Sequence, residues 1–112
     1  MSHVLLIGHN SMTAHNMARD LIDSKGETVY TTEKKVNLPF VETHQNNRYI
    51  FLGHLEVAKK SHELRGIKFD EVYFMGDLQV RLVETLKADL ILNTPQAKFF
   101  LVEPDAIGFT FR

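Results

Sequence analysis

The sequence predicts an α/β domain, a three-layer structure with a mostly parallel sheet of five to seven strands and a C-terminal antiparallel hairpin. The apolar run at residues 4–7 does not alternate with polar residues, which is typical of a strand buried on both faces of a parallel sheet. Strand-like and helix-like segments then alternate, as expected when helices connect parallel strands. Aromatic-rich segments at residues 98–102 and 108–111 flank a turn and predict the hairpin.

The bulk properties indicate a single domain that covers residues 1–112. Of the 112 residues, 44% are hydrophobic and 24% are charged, as in ordinary globular proteins. The formal net charge is -1, from 13 basic and 14 acidic residues, which argues against a nucleic-acid partner. The sequence has no cysteine, and its apolar runs are far shorter than the roughly 20 residues of a membrane helix. Because no signal-peptide pattern is visible either, we expect a cytoplasmic protein without a membrane partner.

The first unit is a strand, a short turn and an amphipathic helix. Along residues 14–22, apolar side chains recur at i, i+3, i+4, i+7 and i+8, which places them in one stripe on a helix. Ser11 or Thr13 can cap the start of this helix, and Gly26 can end it.

The rest of the chain alternates between strand-like and helix-like segments. β-Branched and aromatic residues predict strands, and apolar residues three or four positions apart predict helices. The polar residues 33–47 predict a long irregular linker. In chain order, the predicted strands lie at 27–32, 48–52, 70–75 and 90–92, and the helices at about 54–65 and 78–87.

Three predicted strands end in a glycine followed by a polar residue. The pairs are Gly8 and His9, Gly53 and His54, and Gly76 and Asp77. Ligands of open α/β sheets bind beyond the carboxyl ends of the strands, so these side chains are expected to converge there with Ser11 and Thr94. The alternative is that the glycines only let the chain enter a helix, and that the polar residues are solvated or cap helices. No HxH or HExxH spacing supports a metal site, and we predict none.

The turn GHNSMT, residues 8–13, can be interpreted in two ways. Free backbone amides at a helix N-terminus attract anions, and Ser11 and Thr13 would add hydroxyl groups. However, the turn matches neither GxxxxGK[ST] nor GxGxxG, so a plain helix cap is at least as well supported. If the edge binds a ligand, the candidate binding residues are Gly8, Asn10, Ser11, Thr13, Gly53, Gly76 and Thr94.

The stretch SHELRGIKFDEVYFMGDL, residues 61–78, resembles the acidic strand of P-loop ATPases. Arg65 and Gly66 precede a strand of the form Phe-Asp-x-Val, which is most similar to the viral terminase large subunits. The resemblance implies a degenerate P-loop-like or Rossmann-like domain of phage or mobile-element origin. In those ATPases an acid at the strand end organises magnesium and the next glutamate positions water. These roles would fall on Met75 and Gly76, which can perform neither, although Asp77 could replace one of the acids.

These observations favour a small non-enzymatic module that binds a protein partner or a small anionic, nucleotide-like ligand. The missing lysine and acid pair argue against phosphoryl transfer. The alternative is a small enzyme acting on a nucleotide or phosphate-bearing substrate, with His9 or His54 as general acid/base and Asp77 orienting it. No cofactor can be named. The terminal aromatic residues could form an apolar edge that pairs with another copy; they are Phe99, Phe100, Phe109 and Phe111.

Overall fold

The computed structural model describes residues 1–31, 38–105 and 108–110, and these form an α/β domain. In chain order the elements are β1 (Ser2–Gly8), α1 (Ser11–Ser24), β2 (Val29–Thr31), β3 (Phe40–Thr43), β4 (Asn47–Gly53), α2 (His54–Lys59), α3 (Ser61–Leu64), β5 (Glu71–Met75), α4 (Val80–Asn93), β6 (Lys98–Asp105) and β7 (Gly108–Thr110). None of the helices in these ranges is long and apolar enough to cross a membrane. The predicted α/β class is confirmed.

The described strands are hydrogen-bonded in the order β2-β3-β4-β1-β5-β6-β7. The central strands β4, β1, β5 and β6 run parallel to one another, while β2, β3 and β7 pair antiparallel. The predicted antiparallel hairpin at the C-terminus is therefore confirmed. The strands at the other end of the strand order, β2 and β3, are antiparallel as well. Because the four central strands are parallel, their carboxyl ends lie along one edge, which we call the carboxyl edge.

Helices lie on both faces of the central strands. The pairing register places Phe51 and Phe99 on opposite faces, since side chains alternate along a strand. The His15 ring of α1 lies 4.7 Å from the Phe51 ring, whereas the Lys87 ammonium of α4 lies 5.3 Å from the centre of the Phe99 ring. The predicted apolar stripe of α1 is buried, as is the run at residues 4–7 in β1. The core thus lies on both sides of β1.

The predicted strand at residues 90–92 is wrong, because these residues belong to the C-terminal part of α4. Leu86 and Leu90 lie one helical turn apart and are both buried, while Ile91 and Leu92 are exposed. Three consecutive apolar residues carry no period of their own, so the sequence does not separate a short strand from the end of a helix. The strand that follows β5 is β6, and it pairs with β5 in parallel.

The predicted linker at residues 33–47 contains the strand β3 and the start of β4; residues 32–37 lie outside the described residues. Phe40 and Val41 are buried and pair antiparallel with β4. A strand of four residues directly after Pro39 gives a weak sequence signal, because it is short and only two of its residues, Phe40 and Val41, are apolar. The linker prediction is therefore wrong for residues 40–43.

The other predicted elements are present with shifted ends. The strand predicted at 27–32 corresponds to β2, which begins at Val29, and residue 32 lies outside the described residues; the strands predicted at 48–52 and 70–75 are β4 and β5. The helix predicted at about 54–65 is divided into α2 and α3, which meet at Lys60. The helix predicted at 78–87 begins at Val80 and continues to Asn93.

The carboxylate of Glu27 joins the end of α1 to the strands β3 and β4. It accepts hydrogen bonds from Thr43 Oγ1 at 2.7 Å, from Tyr49 Oη at 3.0 Å, and from Asn47 Nδ2 at 3.0 Å. Burial alone raises the pKa of Glu27, but the hydrogen bonds from these three side chains and the charge of Lys25 outweigh it. The pKa of Glu27 therefore lies below its ordinary value.

We predict that Glu27→Gln lowers the free energy of unfolding by about 1 kcal/mol at neutral pH, because a charged acceptor is lost at a partly solvated position. A carboxyl whose pKa is lowered in the folded state stabilises the fold above its unfolded pKa of about 4.3. This contribution disappears as the pH falls through the folded pKa, so the two chains should converge in acid. Urea unfolding at about pH 7, 5 and 3 measures the difference.

The matched control is Asp89→Asn, which removes an exposed carboxylate on α4. It should unfold like the unmodified chain near neutral pH. A Glu27→Gln chain as stable as the unmodified chain at about pH 7 would contradict the assigned role of Glu27.

Candidate functional site

Four polar side chains follow the order of the central strands along the carboxyl edge. From β4 to β6 they are His54, His9, Asp77 and Glu103, which we call the carboxyl-edge cluster. Glu103 follows Val102, which is the register partner of Met75. Glu103 was not predicted, because the strand wrongly predicted at residues 90–92 placed Thr94 at this edge instead.

The structure brings His9, His54 and Asp77 together. His9 Nε2 lies 3.0 Å from Asp77 Oδ1, and the two side chains are 46% and 54% exposed. The His54 ring stands edge-on to the His9 ring, with 6.4 Å between their centres. Its Nδ1 atom is buried and has no hydrogen-bond partner among the described residues. The predicted convergence of these three strand ends therefore exists in the fold.

The bond to Asp77 fixes the proton arrangement of His9. An ionised carboxylate only accepts hydrogen bonds, so Nε2 of His9 carries the proton that it donates to Asp77. In the neutral ring, Nδ1 is then an acceptor. A histidine held by a carboxylate can transfer protons, and it can equally form directional contacts to a partner. Among the described residues, no group of three or more His, Cys, Asp or Glu is arranged to hold a metal ion.

The turn at residues 8–13 contains a capping box at the start of α1. Asn10 is the N-cap of α1, and its Oδ1 accepts a hydrogen bond of 2.8 Å from the Thr13 amide. Thr13 Oγ1 accepts in return from the Asn10 amide at 3.2 Å, which completes a capping box. The predicted cap at Ser11 or Thr13 is therefore corrected to Asn10, with Thr13 as its reciprocal partner. Ser11 is the exposed first residue of α1.

The glycines of the carboxyl edge accommodate other parts of the chain. A Cβ atom on Gly53 would lie 2.7 Å from Asn10 Cα, so the end of β4 is packed directly against the turn before α1. A Cβ atom on Gly8 would lie 2.7 Å from Thr13 Oγ1, and one on Gly76 would lie 2.9 Å from the carbonyl oxygen of Val102. Protein atoms therefore occupy the space that these glycines leave.

Thr94 does not belong to this site, which corrects its placement at the carboxyl edge. It is buried, and its Oγ1 accepts a hydrogen bond from the amide of Phe69 and donates one to the carbonyl of Phe69, both at 2.7 Å. Phe69 precedes β5, so Thr94 lies at the opposite, amino edge of the sheet. The error follows from the wrong strand at residues 90–92. The hydroxyl of Thr94 fastens the end of α4 to the start of β5.

Two exposed apolar side chains beside the cluster were missed from the sequence. Met12, in the first turn of α1, is 72% exposed, and Leu55, directly after His54 in α2, is 69% exposed. We call Met12, Leu55, His9 and Asp77 the carboxyl-edge surface. A signal existed for Met12, because it precedes the apolar stripe of α1, whose buried residues begin at Ala14.

No family model matches the chain, and no curated protein matches it. Its fold is similar to a solved structure, the large terminase from a thermophilic bacteriophage, with a TM-score of 0.53 and 14% sequence identity. The likeness covers 89% of this chain and 25% of the terminase chain, so this chain spans about a quarter of the length of that protein. At such identity the likeness concerns the fold alone. The resemblance to terminase large subunits is confirmed as a loose structural one.

We predict that Gly53→Ala destabilises the fold by about 1–3 kcal/mol, because the new methyl group would collide with the backbone of Asn10. Gly66→Ala is the matched control, since its Cβ would lie 3.6 Å from the Glu63 carbonyl oxygen, an ordinary contact. Thermal or urea unfolding of both variants measures the difference. Equal stability of the two variants would show that the end of β4 does not press on the turn before α1.

Proposed function

We propose that this chain is a small non-enzymatic α/β module, from a phage or another mobile element, that binds a protein partner through its carboxyl-edge surface. The observation that carries the proposal is that the carboxyl edge presents two exposed apolar side chains, Met12 and Leu55, together with the hydrogen-bonded pair of His9 and Asp77. Exposed apolar side chains beside directional polar groups are typical of protein-binding surfaces, in which methionine is enriched. The origin is inferred from the fold likeness to a bacteriophage terminase.

Two features argue against nucleotide hydrolysis. Phosphoryl transfer needs a positioned cation and a metal, and the turn before α1 offers no lysine. A terminase-like site would need acids at positions 75 and 76, but these are Met75 and Gly76. Met75 is buried, and the Gly76 amide donates a hydrogen bond to the Val102 carbonyl. A nucleotide-like ligand is the other candidate for the same edge, but the capping box already engages the Thr13 amide that would face a phosphate. A protein partner therefore fits this edge better.

A small enzyme is the second candidate, because the hydrogen bond between His9 and Asp77 orients a proton-transferring group. In that case His9 or His54 would act as general acid/base on a nucleotide or phosphate-bearing substrate. The exposure of the pair weakens this candidate, since such catalysis benefits from a site that excludes water. Turnover of a nucleotide panel that disappears in His9→Gln would establish the enzyme and overturn the binding module.

We predict that a photo-reactive amino acid at position 12 or 55 crosslinks the partner in the cells that produce this chain. Calorimetry with the purified partner then tests the surface quantitatively. Met12→Asp and Leu55→Asp should each weaken binding at least tenfold, because each places a charge in an apolar contact.

Leu92→Asp is the matched control, because Leu92 is also an exposed leucine but lies at the far end of α4. It should bind like the unmodified chain. A partner whose affinity falls with Leu92→Asp and is unchanged by Met12→Asp and Leu55→Asp would contradict the proposed surface.

A further inference from the structure

One side of α4 carries four exposed residues in a single row. Val80, Glu84, Lys87 and Ile91 are spaced by four, three and four positions, which places them within one narrow stripe of a helix. Val80 is 72% exposed and Ile91 is 41% exposed, and the two charged side chains between them are exposed as well. We call these four residues the α4 seam. Its spacing is that of the contact line between two packed helices.

The α4 seam is complementary to itself when it is reversed. The midpoint between Glu84 and Lys87 is also the midpoint between Val80 and Ile91. If a second α4 packs antiparallel about a twofold axis at that midpoint, Glu84 faces Lys87 of the other copy and Val80 faces Ile91 of the other copy. Each charge then meets its opposite, and each apolar side chain meets an apolar one.

We propose that the α4 seam pairs with the α4 seam of a second copy of this chain, forming an antiparallel twofold dimer. Twofold symmetry makes each contact occur twice, so two pairs of opposite charges and two apolar pairs form together. The contacts extend over about 16 Å, the rise of a helix from Val80 to Ile91. Binding to an unrelated partner would not require the charged pair and the apolar pair of the seam to have the same midpoint. The shared midpoint therefore favours a second copy over an unrelated partner.

A groove next to the α4 seam enlarges the apolar part of this surface. It has a volume of about 530 Å³ and lies between α4 and β6, with Val80, Val83 and the exposed Leu101 among its lining residues. Val80 contributes to both the groove and the seam, so the two surfaces are continuous. A second copy that meets the seam therefore also covers apolar side chains at this edge of the groove.

The location differs from the terminal-strand pairing considered from the sequence. Phe99 stacks on Phe74 with 6.3 Å between ring centres, and Phe100 stacks on Tyr73 at 4.8 Å. These two aromatic side chains are thus engaged within the chain. The side chain of Phe109 and the whole of Phe111 lie outside the described residues.

The seam contains one pair of opposite charges and one apolar pair per half, so we expect a weak and reversible dimer, as is typical of small interfaces. Sedimentation equilibrium of the full chain over a range of concentrations at low salt measures it. Glu84→Lys alone and Lys87→Glu alone should each raise the dissociation constant about tenfold or more, because both create two like-charge contacts. The double reversal E84K/K87E should restore dimerisation to within about threefold.

Asp89→Lys is the matched control, because Asp89 is exposed on the side of α4 opposite to the seam. This variant should dimerise like the unmodified chain, and circular dichroism should show that every variant is folded. A chain that remains monomeric at about 1 mM would overturn the proposal. So would a double reversal that stays as weak as the single reversals, or a control variant that weakens the dimer equally. Met12→Asp, which tests the proposed partner surface, should leave the dimer unchanged, so the two proposals fail separately.

Discussion

The contact between Gly53 and the backbone of Asn10 is the constraint on which the carboxyl edge depends. It seats the end of β4 on the turn before α1, and only a residue without a Cβ atom fits there. The parallel register of β1 and β4 pairs Gly8 with Gly53, so both strands end at the same level. His9 and His54 are the next residues, and this shared level is why their rings come within contact distance. The packing of two glycines thus positions two histidines.

The same constraint determines what the edge can bind. A phosphate-binding loop needs open space and free amides at the start of its helix. Here Asn10 is fixed from one side by β4 and from the other by the capping box with Thr13. The His9–Asp77 pair is accessible, and the exposed apolar side chains of Met12 and Leu55 belong to the same edge. This combination suits contacts with another macromolecule better than it suits a bound phosphate.

Much of this edge could be predicted from the sequence, because a glycine followed by a polar residue marked three of its four strand ends. The hydrogen bond between His9 and Asp77 could not be predicted. It depends on which strand ends are neighbours, and the sequence does not reveal that β1 lies between β4 and β5 in the sheet. Thr94 was misplaced because three apolar residues do not distinguish a strand from a helix end. Phe40 and Val41 were missed because their burial comes from pairing with β4, a contact that the local sequence pattern does not reveal.

The turn before α1 is packed against Gly53, and its capping box engages the Thr13 amide, so we expect it to bind no phosphate. The most direct test is a titration of the isotope-labelled chain with magnesium pyrophosphate, followed by the backbone amide signals of Ser11, Met12 and Thr13 in nuclear magnetic resonance spectra. The packed and capped turn predicts that these signals do not move in a saturable way. Saturable shifts confined to these three amides would contradict it, because they would show that the turn binds phosphate.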